Sequence, residues 1–539
     1  MRRPGILVPD DGLTKIPITQ KTSDSIAGAQ YPACLSLCPN LQATAARGAC
    51  LSQYLQNHPE QCKNYPFLPD LAAIEEAVGR LQACGSDLPE PVSARIVNPL
   101  LEVVEVNFLN LEFFISDPSC RPAAGKAHML IWVGPKGRNI RVQTADARDL
   151  LALKLVEEGI DSRTAAAEGG VSVGAIDDVL WDAGQKGLLI GPEPGICRPA
   201  DFPSGEIADF QYFISPSFTL QWHLTQACDL NCRHCYDRSD REHMPRSAAW
   251  RVVEDLYDFC SRHHVFGQVS FTGGNPMLYP YFDEVYQSVA SRGFMTAVLG
   301  NPMPRSRIEK LIAMQMPEFY QVSLEGTRAH NDYIRGQGHF DKTLEFLALL
   351  GELGIYRMVM LTLTRDNMDQ VLELADELEG RTELFTFNRL AAVGQGARLA
   401  SVDPGEYAGF LERYMAAAEK SSCMGFKDNL FNLVRRQKGL APGGGCTGFG
   451  CGAAFNFAAL LPDGQVHACR KFPSLIGNIY QQRLEEIYHS PRAGRYRTGS
   501  AACAKCPIRP VCGACLAVVH GAGGDVFNDP DPCCWGCGN

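Results

Sequence analysis

Between residues 218 and 390, short β-rich runs alternate with helical patterns, and this alternation constrains the fold more than any other feature of the chain. The runs are FTLQWHL (218–224), QVSFTGG (268–274), MTAVLGN (295–301), FYQVSLEG (319–326), YRMVMLTLT (356–364) and LFTFNRL (384–390). One intervening helix carries Trp250, Val253, Leu256, Tyr257 and Cys260 on one face; others are DKTLEFLALLGEL (341–353) and NMDQVLELADELEG (367–380). Strand–helix alternation implies a parallel sheet with helical crossovers, because parallel neighbours need a long return connection. Six strands with five intervening helices predict an α/β fold, a partial (β/α)6 barrel. Ligands in such sheets bind at the carboxyl ends of the strands.

The chain has 539 residues, enough for several well-buried domains, and a net charge of −10. That charge argues against a nucleic-acid or anionic-membrane surface. The opening MRRPGILVPDDGLTK has no apolar run behind its arginines, so no secretory signal is expected. No apolar stretch is long enough to span a bilayer, and a cytoplasmic location is expected. The 22 cysteines are unusual for such a compartment, where disulfides are rare. Isolated ones (Cys84, Cys120, Cys197, Cys260, Cys423) read as small hydrophobes, whereas clusters at short spacing read as metal sites.

Directly after the first strand comes QACDLNCRHCYDR, with Cys228, Cys232 and Cys235 in the pattern C-x3-C-x2-C. Thiolates hold zinc and iron–sulfur clusters alike. Three thiols on a four-iron cubane leave one iron open to a small molecule; the alternative is zinc completed by a distant ligand such as His234 or His243. CDLNCRHCY resembles the signature of the radical S-adenosylmethionine (SAM) superfamily. The resemblance covers about residues 215–400. It implies a [4Fe–4S] cluster on Cys228, Cys232 and Cys235 whose open iron chelates SAM, and reductive cleavage to a 5′-deoxyadenosyl radical. Two later segments fit in order. FTGGNP places Gly273, Gly274 and Asn275 where the family usually has Gly-Gly-Glu; the resemblance implies contacts to the SAM amino group, with the Asn275 oxygen accepting a hydrogen bond. VSLEGTRAHNDYIRGQGHF supplies Ser323 and Glu325, matching ribose and ammonium contacts, and Arg335, matching a carboxylate clamp. The plainer alternative makes Glu325 and Arg335 an exposed surface pair worth little.

The last hundred residues are rich in glycine and cysteine and show little periodicity, so a core there would need metal to hold it. CTGFGC, Cys469 separated from Gly464 by four residues, CAKCPIRPVCGAC and CCWGC resemble the SPASM extension of radical SAM peptide maturases. That likeness implies two auxiliary [4Fe–4S] clusters: one on Cys446, Cys451, Cys469 and Cys515, another on Cys503, Cys506, Cys512 and one of Cys533, Cys534 or Cys537, with Cys533 chosen. The family usually has three residues before the fourth cysteine of the run; here there are two. Zinc knuckles are the alternative. If Cys446 is not a ligand, the first auxiliary cluster has an open iron.

Residues 128–191 outline a winged helix: a hairpin, HMLIWV-GPKG-RNIRVQ, then ARDLLALKLVEEG, SRTAAAEGG and SVGAIDDVLWDAGQKGLL, the last two beginning with serine as plausible N-caps. This segment resembles a RiPP recognition element, which captures the leader of a ribosomally made, post-translationally modified peptide as an added strand. A DNA-binding helix-turn-helix is the alternative. Its recognition segment is acidic and nearly free of Arg and Lys, so the phosphate attraction that dominates DNA affinity is missing. The expected domains are 1–95, helical and cysteine-containing; 96–200, winged helix; 201–217, linker; 218–425, radical SAM core; and 426–539, SPASM. Cys34, Cys38, Cys50 and Cys62 could hold a metal or line a helical core.

Together these implied parts describe a peptide maturase that abstracts hydrogen from a precursor peptide and installs a crosslink, thioether or related change. A reductant such as flavodoxin or ferredoxin would serve it. YPACLSLC and YPFLPDLAAIEEAV resemble the selenobiotic-family peptide radical SAM maturases. A sulfatase-maturase-like enzyme is a poorer match, since that group has an acid directly after the second SPASM cysteine and this chain has Arg470 after Cys469. A non-catalytic zinc- or cluster-bearing winged-helix regulator is the alternative from another class.

Overall fold

In the computed structural model, which describes residues 14–17, 31–46, 50–84, 92–134 and 139–536, the chain divides into two units, Met1–Glu193 and Pro194–Asn539. The first unit is built on an antiparallel sheet of β1 (Thr14–Pro17), β2 (Leu101–Leu109), β3 (Ala123–Val133) and β4 (Asn139–Thr144), in the order β1-β4-β3-β2. Strand side chains alternate between faces. Met129, Ile131 and Val133 therefore share a core with Leu71, Ile74 and Val78 of α1 (Leu68–Cys84). Trp132 points the other way and donates its indole N–H to the Lys186 carbonyl at 2.9 Å. Three helices follow, α2 (Ala147–Glu157), α3 (Ser162–Gly169) and α4 (Val173–Lys186). The hairpin and the three helices stand where the sequence predicts them, and residues 135–138 of its turn lie outside the described residues. Strand β2 has no counterpart among the predicted elements.

Of the two serine caps, Ser172 accepts from Ala175 N as expected. At α3 the cap is Asp161, whose carboxylate accepts from Arg163 N and Thr164 N, while Ser162 Oγ donates to Asp177. A carboxylate at a helix start also gains from the helix dipole, which a hydroxyl does not. The amino-terminal cysteines act as core and hydrogen-bond partners. Cys34 and Cys62 are buried with their thiols near the Leu68 and Leu55 carbonyls, and Cys50 donates to Glu76 at 3.1 Å.

The second unit carries six parallel strands in sequential order: β5 (Ser217–Thr225), β6 (Phe266–Gly273), β7 (Met295–Leu299), β8 (Phe319–Ser323), β9 (Arg357–Leu363) and β10 (Leu384–Arg389). Helices α5 (Arg246–Arg262), α6 (Phe282–Ser291), α7 (Arg305–Met314), α8 (Arg328–Arg335), α9 (His339–Glu352) and α10 (Val371–Leu378) connect them. The crossover between β8 and β9 holds two helices instead of one. Gly336 and Gly338, both at positive φ, break the run between them.

Alternation along the strands decides which face is hollow. In β5, Phe218, Leu220, Trp222 and Leu224 are fully buried in the main core. The opposite parity, Ser217, Thr219 and Gln221, faces a cavity that Gln268, Ser270, Gln321 and Asn388 also line. The sheet thus buries apolar side chains under its helices and curls its polar side chains around an interior space.

The cysteine-rich region is more regular than its composition suggests. Strand β11 (Phe457–Leu460) pairs in parallel with β5, and β12 (Gln465–His467) and β13 (Leu475–Asn478) extend the sheet antiparallel, giving nine strands. Leu460, Val466, Ile476, Leu484 and Ile487 belong to the same apolar core as Trp222. This region therefore joins the main apolar core, because β11 pairs along the edge of β5. The Pro/Gly-rich stretch before β5 packs on it too. Arg198 donates to the Arg497, Phe449 and Cys451 carbonyls, and Glu206 N donates to Pro507 O. Among the described residues, no helix is long and apolar enough to cross a membrane.

Candidate active site

The loop from β5 to α5 carries Cys228, Cys232 and Cys235 and is tied down at both ends. Gly274 N donates to Thr225 O at 2.9 Å and Asn275 N to Ala227 O at 2.7 Å, which hold it against the end of β6. Arg233 N donates to Ile334 O and Gln395 N to Cys235 O, both at 2.9 Å. Each of the three sulfurs lines a cavity of about 380 Å³ at the carboxyl ends of the strands, shared with Gly273, Gly274, Ser323 and Arg335. Burial raises the Cys232 thiol, and Arg335 pulls it back down. His234 and His243, the candidate completing ligands for zinc, are engaged elsewhere: His243 Nδ1 pairs with Thr225 Oγ1 at 2.6 Å, and His234 Nε2 with Glu325 at 3.1 Å.

Both glycines are required by close approach. A Cβ on Gly273 would sit 2.2 Å from Thr225 O, and one on Gly274 2.1 Å from Ala227 O. Asn275 is fully buried and turns away from the cavity. Its Nδ2 donates to Asp229 Oδ1 at 3.1 Å, and its Oδ1 accepts from Met277 N at 3.4 Å. Asn301 donates to the same Asp229 oxygen at 2.6 Å and stands 3.6 Å from Cys228 Sγ.

Glu325 and Arg335 are paired, but inside the molecule. Glu325 is 1% exposed. Its Oε1 accepts from Arg335 Nη2 at 2.6 Å and Nε at 2.9 Å, and its Oε2 accepts from Thr362 N at 2.8 Å. Burial alone would raise this carboxyl, yet His234 and Arg335 together hold it well below the usual carboxylate range. Arg335 presents its remaining nitrogen, Nη1, to Cys232 Sγ at 3.8 Å. The order from cavity to core is therefore thiol, guanidinium, carboxylate.

A second cavity of about 340 Å³ lies beside the first, and Leu299, Gln321, Asn388, Arg470 and Lys471 line both. Its far wall holds Cys446, Cys451, Cys469 and Cys515. Burial raises the Cys451 thiol to about 12, and the thiols of Cys446, Cys469 and Cys515 push the same way, which places these four together. Deeper in, burial holds Cys512 well above the ordinary thiol range, reinforced by Cys506, Cys503 and Cys534. Cys533 faces Arg389 and Asp531; its backbone N–H donates to Asp531, which is bonded to Arg389 by two 2.7 Å contacts. Cys537 lies outside the described residues. Gly464, at φ +82, makes the turn between β11 and β12 that delivers Cys469; a Cβ there would sit 2.7 Å from the Tyr480 ring.

Residues 222–378 match the radical SAM superfamily, and residues 451–515 match the SPASM iron–sulfur cluster-binding domain. The chain carries a radical SAM domain and a SPASM domain. Mycofactocin maturase MftC of Mycolicibacterium smegmatis is 29% identical over 61% of this chain and 86% of that protein. The antilisterial bacteriocin subtilosin biosynthesis protein AlbA of Bacillus subtilis is 24% identical over 58% of this chain and 70% of that one. The AdoMet-dependent heme synthase of Methanosarcina barkeri is 26% identical over 58% and 95%. The crystal structure of Streptococcus suis SuiB gives a TM-score of 0.49 at 16% identity, covering 76% of this chain and 96% of that chain.

The donor set fits the groups that radical SAM and SPASM domains hold. A tetrahedral zinc with Zn–S of roughly 2.3 Å keeps its sulfurs roughly 3.8 Å apart. Among the described residues no three thiols lie mutually within 4.8 Å, so the thiol groups are spread for something larger than one ion. Buried thiols of raised pKa ionise only against a cationic partner, and a cluster supplies one. The glycine pair leaves backbone exposed beside the radical SAM thiols, and Arg335 offers a fixed cation there. Asn301, Asp229 and Lys427 went unmarked in the sequence, and His234 was marked only as a possible zinc ligand, not as the partner of Glu325. Asn301 could have been found as the polar residue at the end of the third parallel strand; the others have no such signal.

Proposed function

We propose that this radical SAM enzyme is a peptide maturase, acting on a precursor whose target residue occupies the space between the radical SAM thiols and the first SPASM thiol group. The observation that supports it most is the shared wall of the two cavities, Leu299, Gln321, Asn388, Arg470 and Lys471. A side chain lying along that wall faces both thiol groups. When bound, the radical SAM cluster and SAM supply the radical that removes a hydrogen atom, and the SPASM clusters supply electron transfer.

This chain's own residues bind, orient and exclude water. Cys228, Cys232 and Cys235 hold the catalytic cluster. The backbone at Gly273–Gly274, with Ser323 and the Arg335 guanidinium, forms the SAM side of the cavity. Glu325 acts as a positioning residue: it fixes Arg335 through Oε1 and is held by Thr362 N through Oε2. Asn275 likewise organises the loop through Asp229. Cys446, Cys451, Cys469 and Cys515 hold one auxiliary cluster. Cys503, Cys506 and Cys512 hold the other, with Cys534 favoured as fourth ligand over Cys533, whose neighbours are Arg389 and Asp531.

The segment 96–200 would bind the leader peptide by strand addition, residues 1–95 would form its helical support, 218–425 the partial-barrel core and 426–539 the SPASM region. A cytoplasmic enzyme reduced by flavodoxin or ferredoxin completes the reading. MftC and AlbA, a maturase and a bacteriocin biosynthesis protein by name, support peptide chemistry. The heme synthase relative is matched over 95% of its length by 58% of this chain, so about two-fifths of this chain has no counterpart there. That surplus suits a leader-binding unit better than a small-molecule enzyme.

Anaerobically reconstituted protein with SAM and dithionite should release 5′-deoxyadenosine. Co-expression with a small open reading frame beside the gene should change that peptide's mass. Release without any mass change would sink the peptide reading and leave the enzyme class intact.

A further inference from the structure

Away from the cysteines, the first helix of the radical SAM domain, α5, meets helix α11 (Leu484–Tyr488) in the SPASM region. The docking is polar and fixed. Arg483 Nε reaches Asp255 at 2.5 Å and its Nη2 reaches Asp258 at 2.8 Å, while Leu484 N donates to Asp255 at 2.6 Å. At the other end of this contact stand His263, which caps α5, and Glu485 and His489, four residues apart on one helical face. His263 Nε2 lies 3.1 Å from Glu485 Oε2, and His489 Nε2 lies 3.3 Å from Glu485 Oε1. The two imidazoles stack at 5.5 Å between centroids and 29° between planes. One ligand atom from each residue falls within 4.8 Å of the other two.

We propose that His263, Glu485 and His489 form a site for a divalent transition-metal ion, zinc foremost, that staples the radical SAM domain to the SPASM domain. Two imidazoles and one carboxylate are a zinc donor set, and three protein ligands leave the remaining position to water. The ligands are presented by a rigid frame. Gly195 N donates to the His263 carbonyl at 2.7 Å, and the His263 ring rests on Phe259 at 4.5 Å and Tyr488 at 5.7 Å. Little ordering is left for the ion to impose. His489 is more than half exposed, so the ion reaches the site from solvent. Arg262 Nη1, 3.9 Å from Glu485 Oε1, is the competing cation; its own side chain is 63% exposed and free to swing away. No iron–sulfur thiol takes part, so the site is chemically separate from both cavities.

The test uses the full chain with its clusters reconstituted anaerobically, so that the thiols are occupied. It is incubated with one to two equivalents of zinc chloride and desalted, and retained zinc is measured by mass spectrometry beside H489Q and E485Q variants. The wild type should keep one zinc per chain and both variants close to none. The zinc absorption edge should show nitrogen and oxygen neighbours only, and the melting midpoint should rise with zinc in the wild type alone. No retained zinc in the wild type, equal zinc in H489Q, or sulfur in the zinc shell would each overturn the proposal. Iron content, read from the same samples, reports whether the variants still fold and hold their clusters.

Discussion

Arg335 divides its guanidinium between Glu325, which it meets at 2.6 and 2.9 Å, and the Cys232 sulfur at 3.8 Å. Breaking a buried pair by removing one charge costs about 3–5 kcal/mol, because the other is left uncompensated. E325Q should therefore lower the melting midpoint and abolish 5′-deoxyadenosine release, while R335K should keep more stability than activity, since an ammonium cannot reproduce the fork. The pH dependence has a definite sign. Glu325 is depressed from its usual 4.5, so its stabilisation is present above that value and lost as pH falls through the lower native value. The gap between wild type and E325Q should stay constant from neutral pH down to the ordinary carboxylate range and close below it.

At Gly274, a methyl group would overlap Ala227 O at 2.1 Å and push the cluster loop away from β6. G274A should lose SAM binding, read as the change in cluster EPR on adding SAM. The auxiliary signals should persist, because nothing at the second cavity touches this glycine.

The fourth ligand of the deeper SPASM site separates adjacent residues. C534A should lose about four irons per chain by the cluster stoichiometry, with its share of the EPR intensity. C533A should keep its iron and instead lose stability, because it removes a buried thiol that packs beside Arg389. The reverse pattern would assign the ligand to Cys533.

Arg470 stands over Tyr236 at 5.5 Å and lines both cavities. R470M should leave 5′-deoxyadenosine release nearly intact but cut modified peptide by roughly 100-fold, the size of loss expected when a reacting group is displaced by about an ångström. Equal losses of both products would make Arg470 part of the SAM side only.

Lys427 lines the second cavity near Cys446 and Cys469; burial, with help from Arg470 and Lys471, lowers it to about 8. K427M should raise stability of the cluster-free protein below that pH, where the wild type must bury a charge, and make no difference well above pH 10.5. Thermal scans across that range check the sign.

The sequence by itself determined the six parallel strands and the loop that holds Cys228, Cys232 and Cys235 after the first of them. These are local signals: apolar periodicity, strand-end glycines and thiol spacing are written within a few residues of one another. The Cys-rich tail looked coreless because its apolar residues, such as Leu460 and Val466, are few and scattered; they gain a core only by joining the β5 edge. Likewise Asn275 and Glu325 looked like ligand contacts, and only the tertiary structure showed Asp229 and Arg335 already holding them. Long-range pairs such as Arg389–Asp531, His263–Glu485 and Tyr236–Arg470 leave no trace in spacing. They exist because the fold brings segments far apart in sequence side by side, and burial there sets which charges meet.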